Sequence, residues 1–289
     1  MNAGLLLAVD ASTVDLTDDD RHFAEACARR GLNPQPLPWG ATVPVGALVV
    51  IRSTWDYVER PAQFAAWLDH LDAQGAVVHN PTRLLRWNMS KRYLIALAAA
   101  GVPTVPTELV ERGATSSLDA ICARRGWVEV VVKPAVGGTA RRCERSVDVG
   151  HRELQRHLEA LTVDEDAIVQ PYLPTITTTG ETSIIAVAGQ ARLAVVKRPA
   201  PGDWRVHTEF GGTVDVIALQ DEHLAVAHAA LAAITPVPTY ARIDVVRDHD
   251  DRFVVLELEL VEPELFFRLD TSLADHLASH LRQRHLSPR

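Results

Sequence analysis

The stretch "FVVLELELVEPELFF", residues 253–267, reads as a strand with an unusual face. Leu256, Leu258 and Leu260 alternate with Glu257 and Glu259, so a β conformation puts the leucines on one side and both carboxylates on the other. Two readings fit this pattern. One is an amphipathic antiparallel strand with a wet face; the other is a strand whose glutamates face a bound cation. Just upstream, "ARID" carries Asp244. If "ARIDVV" and "FVVLELEL" are the arms of one hairpin turning at Asp248–Asp251, Asp244 lies near the glutamates. Three converging carboxylates repel one another without a cation, and hard oxygen ligands of this kind suit Mg²⁺. Arg242, two residues before Asp244, points to the same face.

Bulk properties bound the rest. A chain of 289 residues with 47% hydrophobic and 23% charged residues can bury a large core shared among two or three lobes. A net charge of −8 argues against nucleic acid as the main partner, while leaving room for an anion in a locally basic cleft. No apolar run is long enough to span a bilayer. The opening "MNAGLLLAVDAS" reads as a core strand rather than a signal peptide. Cys27, Cys122 and Cys143 are odd in number and unclustered, which fits reduced packing thiols in the cytoplasm.

The first part alternates strand and helix: "GLLLAVD", "DDDRHFAEACARRG", "GALVVIRS", "RPAQFAAWLDHLDAQG" and "AVVHN". That order predicts a small parallel sheet with right-handed crossovers over residues 1–89. A helix from about Ser90 stops at Gly101, and Pro103 and Pro106 make an extended linker. The strand "WVEVVVKP", a helix over "GHRELQRHLEALTVDE" and the strand "DAIVQPYLP" complete a central unit at 90–169. From Gly180 the character turns antiparallel, with a hairpin around Gly189–Gln190 and another at Asp248–Asp251, in a third unit at 170–289. The fold class is therefore α/β, becoming α+β in the C-terminal part. The last helix, "SLADHLASHLRQRH", is amphipathic, and its His276, His280 and His285 are read as a solvated face.

Three further features carry charge toward a ligand. Lys133 ends the core strand "EVVVK", where a buried ammonium needs a partner. In "AVGGTARR", Gly137–Gly138 lets the backbone approach phosphate oxygens, though neither the P-loop nor the GxGxxG spacing is present. "VVKRPAPGDWRVHTEFGG", residues 195–212, brings Lys197, Arg198 and Arg205 with a second glycine pair, the composition of a surface loop or of a lid over an anion.

Taken in order, these features resemble the ATP-grasp superfamily from about Ser90 to Glu264. The resemblance implies a three-lobe fold with ATP held between the second and third lobes. On it, Lys91, Lys133, Gly137 and Gly138 match the phosphate-binding groups, Gln170, Tyr172 and Leu173 the adenine-contacting linker, and Glu181 a ribose contact. Asp244, Glu257 and Glu259 match the magnesium ligands, implying two Mg²⁺ ions with Mn²⁺ as an alternative. Arg242 matches the arginine beside the transferred phosphate, with Lys197 and Arg205 as further catalytic cations. Glu259 stands where the family often has Asn, which keeps an oxygen ligand and adds charge.

"RSTWDYVERPAQFAAWLDHL", "HNPTRLLRWNMSKRYL", "VVVKPAVGG", "KRPAPGDWRV" and "LELELVEPELF" together resemble the O-ureido-D-serine cyclo-ligase group of cycloserine biosynthesis and its glutathione-synthetase-like relatives. This implies a carboxylate–amine ligase working through an acyl phosphate on a small amino-acid-like substrate, with Arg52, Ser53, Trp55, Asp56, Arg205, Gly211 and Gly212 as substrate-facing candidates. The resemblance implies ring closure within one substrate. Intermolecular amide ligation and non-catalytic nucleotide binding stay open as alternatives, as does homo-oligomerisation.

Overall fold

Thirteen strands in three sheets are described in a computed structural model that covers residues 4–146 and 151–286; Met1–Ala3 and the expected helix start at Gly150 lie outside the described residues. The first sheet begins with β1 (Gly4–Val9), whose Leu5 and Leu7 are sealed against α1 (Asp18–Arg29). Thr17 caps that helix by accepting a hydrogen bond from the Asp20 amide at 3.1 Å, and Asp18–Asp20 in the first turn complement its dipole. β2 (Asn33–Pro38), β3 (Leu48–Ile51), α2 (Pro61–Ala73) and β4 (Val77–His79) follow, giving the all-parallel order β2-β1-β3-β4.

β2 is a strand that the sequence reading does not anticipate. Its "NPQPLP" lacks apolar alternation, and proline opposes a sheet interior. Here Pro34, Pro36 and Pro38 recur every second residue on an edge strand. β1 is the neighbour on one side, and the missing N–H groups leave the other edge without donors for further pairing.

Helices α3 (Thr82–Asn88) and α4 (Tyr93–Ala99) lead out of this lobe. The proline linker then runs extended beside the third sheet, where the Val105 amide donates to the Val255 carbonyl at 2.9 Å and the Val255 amide to Pro103 at 2.8 Å. β5 (Glu108–Val110), α5 (Leu118–Arg125), β6 (Val130–Pro134), β7 (Glu144–Arg145), α6 (Arg152–Thr162) and β8 (Ala167–Pro171) build the second sheet, ordered β5-β8-β6-β7 and antiparallel throughout. Leu154, Leu158 and Leu161 of α6 pack with Val130, Val132 and Val169 to form its core.

After the short α7 (Thr175–Thr178) come β9 (Glu181–Val187), β10 (Gln190–Arg198), β11 (Thr213–Ile217), α8 (Asp221–Ala232), β12 (Tyr240–Arg247) and β13 (Phe253–Glu259). They form an antiparallel sheet ordered β11-β10-β9-β12-β13. Both expected hairpins are present. The closing α9 (Thr271–Leu286) returns to the first lobe: Leu273, Leu277 and Leu281 pack in one cluster with Phe23 of α1, Leu7 of β1 and Val195 of β10. This return corrects the solvated reading of its histidines. His276 is exposed, but the His285 and His79 ring nitrogens lie 2.8 Å apart.

Candidate active site

β12 and β13 place the decisive acids. Their register sets Arg242 opposite Glu259 and Asp244 opposite Glu257, with a bulge just beyond Asp244. Leu258 and Leu260 are sealed in the core, while Glu257 and Glu259 line a cleft between the second and third sheets. The cleft holds about 970 Å³ of space, open solvent included.

The cleft has two ends of different character. At one, Tyr172 and Leu173 are buried beside Val131, Ile176, Val246 and Leu256. The Arg145 guanidinium sits over the Tyr172 ring at 3.7 Å, and Trp204 meets that ring edge-on at 6.3 Å. Gln170 is fixed by donating to Thr107 Oγ1 at 2.9 Å. Flat apolar walls with one amide suit a heterocyclic base. At the other end the lining carries six cationic side chains against four carboxylates, an excess that suits a polyphosphate.

Every carboxylate at this end is held by a cation. Lys91 Nζ lies 2.8 Å from Glu257 and donates to the Gly137 carbonyl at 2.5 Å. Lys197 lies 2.5 Å from Glu181 and 3.5 Å from Asp244. Arg242 donates to Asp244 at 3.0 Å and also bonds Glu259, while Ser183 donates to Asp244. Lys133, at the end of β6, lines the cleft with no carboxylate within 4.0 Å among the described residues.

These pairings set the protonation states. Burial opposes ionisation of Asp244, yet Arg242 and Lys197 hold its carboxyl well below the usual range. Burial works against Lys91 as well, and Glu257 outweighs it, so the ammonium is stabilised. Glu259 behaves differently. Burial pushes it up to about 7, with Arg242 opposing and Asp244 and Glu257 adding repulsion. Such acid crowding fits a divalent cation, whose charge would relieve it. Among the described residues no three metal-ligating side chains are already gathered as a cage. Asp244, Glu257 and Glu259 line the same cleft and repel one another, without forming a ready-made cage. Arg242, Lys197 and Lys91 balance them separately, because bare like charges do not gather in a buried site.

The glycine loop also carries a signal. Thr139, Ala140 and Arg142 adopt φ of 48°, 53° and 49° just after Gly137–Gly138. Three non-glycine residues in the left-handed region are strained, and such strain concentrates at ligand clamps. Arg141 and Arg142 tie the loop down through Glu165, at 3.1 and 2.8 Å.

Loop 199–207 leans over the cleft. Arg205 is gripped by Asp203 at 2.7 Å and lies 3.6 Å from the Phe210 ring centre, and Val206 is buried. Gly211 and Gly212 lie outside the cleft lining. A Cβ at Gly212 would meet the Val206 carbonyl at 2.2 Å, so this glycine permits a close chain crossing.

The remaining candidates sit in the first lobe. Arg52, Ser53 and Trp55 line a second cavity with Glu262 and Glu264, whereas Asp56 is taken up by Trp39 and Arg60. Sequence reading missed His207, Trp204, Cys143 and Glu262 as lining residues. Trp204 and His207 lie within the 195–212 segment read as a surface loop or lid, and Glu262 is the next acid after the Glu-x-Glu pair in "ELELVEPEL"; Cys143 carries no such signal.

A cleft with a base-sized apolar end, a cationic phosphate end and an acidic strand between two lobes is the arrangement of an ATP-grasp ligase. Comparison with known proteins agrees. Residues 98–256 match the prokaryotic glutathione synthetase ATP-grasp domain, and residues 5–80 match the N-terminal domain of D-cycloserine synthetase DcsG. The chain is 32% identical over 297 residues to the cycloserine biosynthesis protein DcsG of Streptomyces lavendulae, spanning 97% of this chain and 98% of that one. The crystal structure of D-cycloserine synthetase DcsG superposes with a TM-score of 0.87 at 31% identity, covering 97% of this chain and 99% of that one. The D-alanine–D-alanine ligase of Bacillus anthracis, at 14% identity and a TM-score of 0.66 over 97% and 99% of the two chains, shares the fold. The chain belongs to the ATP-grasp ligases, and within them to the DcsG family. It is an enzyme that forms a C–N bond using ATP and a divalent metal. No helix among the described residues is long and apolar enough to cross a membrane.

Proposed function

We propose that this enzyme closes the ring of O-ureido-D-serine on the way to D-cycloserine, working in the cytoplasm on that one small substrate. The supporting observation is that the likeness to DcsG runs through both the ATP-grasp part and the first lobe, residues 5–80, which borders the second cavity. The division into lobes at 1–89, 90–169 and 170–289 belongs to the same reading.

The base of ATP lies against Gln170, Tyr172 and Leu173, with Glu181 toward the ribose. Lys91, Lys133 and the Gly137–Gly138 loop hold the phosphates. Asp244, Glu257 and Glu259 hold the divalent metal, two Mg²⁺ ions with Mn²⁺ as an alternative. When bound, the metal supplies positive charge that offsets repulsion between ATP and the substrate carboxylate. Arg242, Lys197 and Arg205 add to that neutralisation where charge builds up on the transferred phosphoryl group.

A substrate carboxylate oxygen attacks the terminal phosphorus and the bond to ADP breaks, leaving an acyl phosphate. The substrate's own nitrogen then attacks the acyl carbon. A C–N bond forms, phosphate departs, and the nitrogen sheds its proton. Forming D-cycloserine also requires that this nitrogen lose its carbamoyl group to water. Tethering the nucleophile raises its effective concentration by up to about 10⁵–10⁸ M, so no second acceptor site is needed. Loop 199–207 over the cleft shields the acyl phosphate from water.

The test is ADP release with Mg-ATP and O-ureido-D-serine alone, with products identified by mass. Stoichiometric ADP and a cyclic product, with no gain from added amino acids, is the expected result. Dependence on a second amine and a linear amide product would replace it with intermolecular ligation.

A further inference from the structure

The second cavity, about 510 Å³ with open solvent included, lies where β3, the start of α1 and the segment after β13 meet. Its polar lining is not saturated. Arg52 and Asp20 are 2% and 1% exposed and bond each other at 2.8 Å, yet Arg52 Nη1 and Asp20 Oδ2 have no partner. This charged pair lies sealed beneath the cavity wall, so the pocket is built on polar rather than apolar groups.

Charge narrows the choice. Asp19 and Asp20 are balanced by Arg52, Asp18 by Arg21 and Glu264 by Arg268. Glu262 alone among the lining acids has no cationic partner among the described residues. Its backbone carbonyl is pinned by the Trp55 indole N–H at 3.1 Å, which fixes the chain and leaves the carboxylate at the cavity.

Position supplies the last constraint. Glu262 follows Glu259 by three residues, so the two backbones are at most about 11 Å apart. Glu262 also feels the charges of Glu259, Lys91 and Arg242, which puts its carboxyl on the side of the second cavity nearest the acidic end of the cleft.

We propose that the second cavity is the ammonium subsite of the amino-acid substrate, with Glu262 as its anchoring carboxylate above the buried Arg52–Asp20 pair. This rests on the proposed substrate and adds what that reading leaves open, namely which groups select an α-amino acid over a plain carboxylic acid. Glu262 is a binding and specificity residue on this view, and it makes no ion pair with Lys133, Arg242 or Lys91 of the nucleotide cleft among the described residues.

The experiment compares O-ureido-D-serine with its analogue lacking the α-amino group, in wild type and in Glu262→Gln. Removing a charge-assisted contact costs about 10- to 100-fold in binding. Wild type should prefer the amino substrate by about that factor in kcat/KM, and Glu262→Gln should lose the preference through a raised KM for the amino substrate, with the KM for ATP unchanged. A merely structural role would weaken both acids alike, and Glu262→Asp should restore part of the preference. If wild type converts O-ureido-D-serine and the variant keeps the full preference, the subsite assignment is overturned while the proposed function stands. If wild type does not convert O-ureido-D-serine at all, both fall.

Discussion

Two buried polar regions of this molecule are satisfied in opposite ways. In the cleft, Asp244, Glu257 and Glu259 are balanced by the long side chains of Lys91, Lys197 and Arg242. At the junction of the first and third sheets, polar side chains are instead clamped to backbone. Asn80 donates to the Tyr240 and Leu260 carbonyls at 2.9 and 2.8 Å and accepts from the Thr239 amide at 2.6 Å. Asn88 bridges Leu258 and Leu260, and the Tyr240 hydroxyl donates to the Ile51 carbonyl at 2.7 Å. A backbone partner has nowhere else to go, whereas an ammonium can be displaced by a metal or pulled onto a phosphate. The first kind of pairing holds lobes together; the second leaves a site able to exchange partners during a reaction.

That contrast is tested most severely by Glu257→Gln. On the proposed reading the change removes a charged metal ligand, so ATP-dependent turnover of the folded variant should fall about 10³-fold, and it leaves Lys91 without its carboxylate. Near-normal turnover would mean that the acidic strand is only a wet face. Asn80→Ala should do the reverse. It leaves buried backbone groups from three residues unpaired and should lower stability by about 3 kcal/mol, read as a shift in urea midpoint, while the folded enzyme keeps its kcat. Should Asn80→Ala retain stability and lose kcat, the junction would belong to the catalytic machinery and the contrast would fail.

A smaller effect is expected at Arg205, which lies between the two kinds of region: it is exposed enough to move yet oriented by Asp203 and Phe210. Arg205→Lys keeps the charge and loses the planar fork that grips an oxyanion at two points. About a tenfold loss in kcat/KM is expected, with the circular-dichroism melt unaltered. Equal activity in the lysine variant would show that charge alone matters there.

Much of the cleft was legible because strand alternation and hairpin spacing are local. "ARID" and "LELEL" can be paired across a turn on paper, and the Asp244–Glu257 register follows that pairing. The junction was not legible. Asn80 and Asn88 are ordinary polar residues whose partners lie about 160 to 180 positions away, and no local pattern reports such a bond. β2 was hidden for another reason, since its prolines signal against a strand in general and are tolerated here only at the sheet edge. The returning α9 looked like a surface helix because its apolar stripe does not say which lobe it will cover.

The smallest effect concerns pH, and it reaches the backbone-clamped junction through its one titratable pair. His79 donates to or accepts from Thr239 Oγ1 at 2.8 Å and meets His285 on its other nitrogen, with His280 and Arg284 of α9 nearby. Burial, helped by the repulsion of His285, lowers its pKa from 6.5 to about 3. The unfolded chain therefore takes up a proton below about pH 6.5 that the native ring refuses, so this residue's contribution to stability is present above that pH and is lost as pH falls toward 3. Between pH 6.5 and 5.5 the loss from this one ring is about 1 kcal/mol. Urea titrations of wild type and His79→Gln over that range should show a shallower pH dependence in the variant, whatever the substitution does to stability at pH 7.5. Parallel curves would place the acid sensitivity in the cleft carboxylates, and the junction would then be as indifferent to pH as its backbone partners are.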